Sequence, residues 1–79
     1  YPNPFNPATV IDYTVAQPGR VSIKVYDLLG KEVATIVSNN LQPGTYQTSF
    51  DGSKLPSGVY IYQMKAGSYS ETKKLLLLK

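Results

Sequence analysis

Arg20-Val21-Ser22-Ile23-Lys24-Val25-Tyr26-Asp27 is the stretch that decides the fold class. Val21, Ile23 and Val25 recur at every second position, with Ser22, Lys24 and Tyr26 between them. That period places the valines and the isoleucine on one face of an extended chain and the polar set on the other, the pattern of a half-buried β-strand. β-Branched residues dominate the apolar set, and their restricted side chains pack well on a pleated surface.

Reading outward from this strand, the same alternation returns. Upstream, Gln17-Pro18-Gly19 forms a break, because proline fixes φ and glycine accepts a positive one. Beyond it Thr9 to Val15 sets Ile11, Tyr13 and Val15 against Asp12 and Thr14. Downstream, Asp27-Leu28-Leu29-Gly30-Lys31 reads as a hairpin turn, with Gly30 at a left-handed position. Glu32 to Val37 is the return strand, and Ser38-Asn39-Asn40 reads as a polar connection. Thr45 to Asp51 places Tyr46, Thr48 and Phe50 on one face. Gly52-Ser53-Lys54 is a loop. Gly58 to Lys65 sets Tyr60, Tyr62 and Met64 against Val59, Ile61 and Gln63. After the turn Ala66-Gly67-Ser68, Tyr69 to Leu78 is the last strand. No segment holds a helical period for three turns. The expected fold is all-β, an immunoglobulin-like antiparallel β-sandwich of six to seven strands, the seventh being the segment before residue 8 if it pairs.

The chain has 79 residues, 42% of them apolar, which suits one small domain with a single core. Residues 8–79 are assigned to the sandwich. Residues 1–7, Tyr1-Pro2-Asn3-Pro4-Phe5-Asn6-Pro7, are assigned to a proline-rich lead-in from a preceding domain. Their prolines favour an extended backbone and remove ladder donors. With no initiator methionine and no signal peptide, the chain reads as the end of a longer protein. No apolar run is long enough to span a membrane as a helix.

Composition narrows the chemistry. Histidine and cysteine are both absent, which removes the common general base, the thiol nucleophile and the thiolate metal site. The five carboxylates are scattered, and no phosphate loop, calcium loop or zinc motif is present. A non-catalytic protein without cofactors or metals is expected. The net charge of +3 is uneven: residues 1–51 carry −1 and residues 52–79 carry +4. The lysines form no stripe with interleaved aromatics, so nucleic acid is not an expected partner. They suit a solvated edge that resists sheet-to-sheet pairing, or an anionic partner. Of the seven tyrosines, Tyr26 and Tyr69 fall outside the core register and are weak candidates for stacking a sugar.

Two segments share one motif. Leu41-Gln42-Pro43-Gly44-Thr45-Tyr46 and Leu55-Pro56-Ser57-Gly58-Val59-Tyr60 each run leucine, a proline, glycine, one residue, tyrosine. Sandwich domains use such a corner, in which the tyrosine hydroxyl bonds back to nearby backbone. The last strand is unusual in another way. Lys73-Lys74-Leu75-Leu76-Leu77-Leu78-Lys79 is apolar on both faces, as in a strand buried on both sides or covered by a partner. Left open, it could pair with a second copy as a homodimer.

In sequence order, Tyr1 to Thr9, Val25-Tyr26-Asp27-Leu28-Leu29-Gly30-Lys31-Glu32-Val33, Leu55 to Tyr60 and Glu71-Thr72-Lys73-Lys74 together resemble the type IX secretion system C-terminal sorting domain, type A, a Por secretion family of Bacteroidetes and related bacteria. The resemblance covers essentially the whole chain. It implies an immunoglobulin-like sandwich at the C-terminus of secreted proteins, which directs an N-terminally fused cargo from the periplasm through an outer-membrane translocon. A sortase-type attachment complex then removes the domain and joins cargo to the cell surface. Carried over by position, the implied recognition residues are Leu55, Pro56, Ser57, Gly58, Val59 and Tyr60, with Lys73, Lys74, Leu75, Leu76, Leu77, Leu78 and Lys79. The family often has valine or isoleucine where this chain has its four leucines. A structural or carbohydrate-binding accessory sandwich appended to a secreted enzyme is the alternative.

Overall fold

The alternation found in the sequence becomes two antiparallel sheets in the computed structural model, which describes residues 8–78. Six strands follow in order: β1 (Ala8–Val15), β2 (Gly19–Tyr26), β3 (Glu32–Leu41), β4 (Gly44–Asp51), β5 (Gly58–Ala66) and β6 (Tyr69–Leu77). β1 pairs with β4 as one sheet, and the other runs β3-β2-β5-β6. The two sheets face each other as a sandwich. The lead-in that could supply a seventh strand lies outside the described residues.

β2 is the central element. Val21, Ile23 and Val25 are completely buried, and β2 is flanked by β3 and β5. Facing them from the two-stranded sheet are Ile11, Val15 and Phe50, and beside them lie Tyr60, Met64, Leu75 and Leu77. No polar or charged residue among those described is buried. Folding is therefore driven by apolar burial, at about 25 cal/mol per Å² removed from water.

Two features of the structure differ from the expectation. Ser38, Asn39 and Asn40 are not a connection: they extend β3 and pair with Ser22, Val21 and Arg20. β3 is an edge strand exposed along this stretch, so polar side chains cost nothing there, and the β2 ladder satisfies their backbone. Bulges between Ile23 and Lys24 and between Val25 and Tyr26 also break the alternation of β3, which lets Ile36 and Val37 both turn toward the core. The second correction concerns β6. It is an edge strand, paired on one side with β5 alone, and it is not buried on both faces. Leu75 and Leu77 enter the core, while Leu76 and Leu78 are 59% and 60% exposed.

The registers fix which features share an end of the sandwich. Ala8 lies opposite Asp51, Gly58 opposite Leu77, and Tyr26 opposite Ile61. The β2–β3 turn, the β4–β5 loop and the close of β6 therefore gather at one end. The β1–β2 and β5–β6 turns occupy the other.

Candidate docking surface

The β4–β5 loop is built by its own backbone. Asp51 caps it, its Oδ1 accepting the Ser53 amide at 2.9 Å, and the Leu55 amide donates to the Gly52 carbonyl at 2.9 Å. The Tyr60 hydroxyl donates to the Pro56 carbonyl at 2.6 Å, and at the other corner Tyr46 donates to Gln42 at 2.6 Å. Both copies of the repeated motif are thus tyrosine corners with the same four-residue span. The first corner is reinforced by stacking of Tyr13 on Tyr46, with ring centroids 5.5 Å apart. Burial, followed by the proximity of Tyr46, pushes the Tyr13 phenol above its ordinary pKa of 10.

The second corner delivers the chain into β5 beside β6. Gly58, Val59 and Tyr60 lie directly opposite Leu77, Leu76 and Leu75. Two segments well separated in sequence become one surface. Its inward members, Tyr60, Leu75 and Leu77, belong to the core with half-buried Leu55 packed against them. Its outward members are Val59, 38% exposed, with Leu76 and Leu78. Pro56 and Ser57 are exposed in the loop. Lys73 and Lys74 are exposed on β6, Lys73 at 3.9 Å from Glu71. Lys79 lies outside the described residues.

The sugar-stacking candidates are not brought together. Tyr26 is half-buried at the β6-closing end, opposite Ile61, whereas Tyr69 is exposed at the far end, opposite Ala66. Strand alternation sends them to opposite faces of the four-stranded sheet. Tyr69 lines a cleft of about 590 Å³ with Ala16, Pro18, Arg20 and Ala66, and the guanidinium of Arg20 donates to the Ser38 hydroxyl. The carboxylates are equally dispersed. Asp12 lies opposite Gln47 in the middle of the β1–β4 ladder, and Gln47 donates to it at 2.9 Å, while Asp51 is at one end of that ladder. Among the described residues no group of three or more histidines, cysteines or carboxylates could hold a metal ion. No helix of the described residues is long and apolar enough to cross a membrane.

Two exposed leucines escaped the sequence reading, which treated Leu28 and Leu29 as turn residues. They stand 66% and 94% exposed at the tip of the β2–β3 hairpin, on the same end as Val59, Leu76 and Leu78. A leucine pair inside a turn of otherwise polar chemistry was the available signal.

The described residues form a six-stranded β-sandwich whose edge strand β6 leaves Leu76 uncovered, with Leu78 exposed just beyond it. Residues 1–78 match the family described as Secretion system C-terminal sorting domain, and the chain belongs to that family, the sorting tails of the type IX secretion system. Such a tail marks the protein that carries it for export across the outer membrane, to the cell surface or the medium, and is as a rule non-catalytic. It interacts with the secretion machinery and follows a fused cargo. No curated protein and no solved structure matches the chain.

Proposed function

We propose that the address read by the translocon is the composite surface formed by Leu55 to Tyr60 and Lys73 to Lys79, and that cleavage by a sortase-type attachment complex then transfers the cargo to the cell surface. The observation that carries this reading is the pairing of Val59 with Leu76, which joins the two segments while leaving their outward side chains uncovered. The core has no use for Leu76 or Leu78, since Leu75 and Leu77 already fill the inward positions. An exposed β-edge with apolar side chains is a template for strand addition or for docking into an apolar groove. Self-pairing of two such edges would bring their Lys73–Lys74 pairs toward each other, so a translocon component is preferred over a second copy as the partner.

The test is sufficiency followed by loss. Residues 1–79 fused behind a periplasmic reporter should carry it to the surface of a host that has the secretion system. Leu76→Ser/Leu78→Ser, which spares the core leucines Leu75 and Leu77, should retain the reporter in the periplasm. Export of this variant at the full level, with the sandwich still folded, would exclude this surface as the address.

A further inference from the structure

The β2–β3 tip presents two leucines that the fold itself does not use. Its turn is tightly built. The Asp27 carboxylate accepts the amides of Leu29 and Lys31, each at 2.9 Å. The Gly30 amide donates to the Asp27 carbonyl at 3.0 Å, and the Asp27 amide to the Lys31 carbonyl at 2.9 Å. Gly30 takes the left-handed φ of +87° that the turn requires. Every bond of this turn uses backbone or Asp27, so residues 28 and 29 could be polar at no cost to it. Instead, both are leucines held rigidly away from the core.

Single exposed leucines need no explanation, but a cluster does. Among the described residues, five of the seven large exposed hydrophobics, Leu28, Leu29, Val59, Leu76 and Leu78, are at one end of the four-stranded sheet. β5 lies between β2 and β6, which are about 10 Å apart, two strand spacings, and the Leu28–Leu29 turn continues from β2. On the outward face β5 presents Val59, 38% exposed and paired with Leu76.

The charges at this end show the sign of the partner. Lys31 and Lys54 in the loops and Lys74 on β6 are exposed and make no ion pair among the described residues. The acids nearby are engaged: Asp27 and Asp51 with loop amides, Glu32 with Lys24 at 3.6 Å and the Thr35 hydroxyl at 2.9 Å. A second copy would set unpaired ammonium groups against one another. The family's interaction with the secretion machinery favours a protein over a lipid surface.

We propose that Leu28 and Leu29 form a second docking prong beside the β6 edge, and that the partner is a protein of the secretion machinery presenting an apolar recess with an acidic rim. This rests on the sorting reading above and adds the β2–β3 tip to its surface. The test compares two variants in a full cargo fusion expressed in a host with the secretion system. Leu28→Ser/Leu29→Ser should lower the secreted fraction by about tenfold or more, the scale of losing a docking hot spot, with the melting temperature unchanged. Lys31→Glu should lower it severalfold by opposing the acidic rim. Secretion within about twofold of wild type for both would overturn the proposal. Leu76→Ser/Leu78→Ser, run in parallel, separates the two claims: if it blocks export while the tip variants do not, the prong fails and the sorting surface stands. Binding of the wild-type domain to phosphatidylcholine/phosphatidylglycerol vesicles, lost in Leu28→Ser/Leu29→Ser, would also overturn it in favour of a lipid surface.

Discussion

Gly52 and Leu77 are packed so closely that a Cβ on the glycine would fall 2.6 Å from one Leu77 methyl and 3.1 Å from the other. The loop that leads into β5 therefore closes directly over the β6 leucine that plugs the core. Leu77 is 1% exposed and enclosed among Ile11, Val25, Phe50, Tyr60 and Leu75, so it has little free space into which to rotate.

Gly52→Ala should consequently destabilise the domain by about 1–3 kcal/mol, the usual range for overpacking. In a domain of this size each kcal/mol corresponds to roughly 4–8 °C in melting temperature. Combining it with Leu77→Ala should cost less than the two separate losses together, because the smaller side chain makes room for the new methyl. Strict additivity in thermal melts would show that the loop does not rest on Leu77.

The tyrosine corners make unequal predictions. Tyr46→Phe and Tyr60→Phe each remove one short hydrogen bond to backbone, worth roughly 0.5–1.5 kcal/mol. Tyr60 should be the costlier of the two, since its bond is partly buried and that of Tyr46 is exposed. Chemical denaturation of both variants checks the order.

Tyr13 gives the domain an alkaline weakness. Its pKa is raised in the folded state, chiefly by burial, so the folded protein holds this proton to higher pH than the unfolded chain. The stabilisation is complete below the ordinary phenol pKa of 10 and is lost as pH rises through the folded value. Melting temperatures measured from about pH 8 to about pH 11 should fall less steeply in Tyr13→Phe than in wild type. Parallel slopes would contradict this.

Much of the architecture was legible because one period governs it. The burial of Val21, Ile23 and Val25, the turn at Gly30 and both tyrosine corners follow from local residue patterns that tertiary contacts only reinforce. β3 was harder, since bulges shift its phase and pairing with β2 recruits Ser38 to Asn40, which have no strand preference of their own. For the proposed docking surface, the family resemblance pointed to Leu55 to Tyr60 and Lys73 to Lys79 as separate segments. Their juxtaposition depends on the β5–β6 register, and the proposed contribution of Leu28 and Leu29 depends on which turns share an end. Neither is encoded in any local pattern. Sheet order likewise decided that only half of the leucine run is buried.

The leucine run is thus divided: the inward leucines fold the domain, and the outward ones are proposed as its address. The most direct measurement is the secreted fraction and the melting temperature of one cargo fusion carrying either Leu76→Ser/Leu78→Ser or Leu75→Ser/Leu77→Ser. The outward pair should abolish secretion with melting within about 4 °C of wild type, as surface changes within roughly 0.5 kcal/mol imply. The inward pair should unfold the domain. Normal secretion of the outward variant, or a loss of stability equal to that of the inward one, would contradict the division.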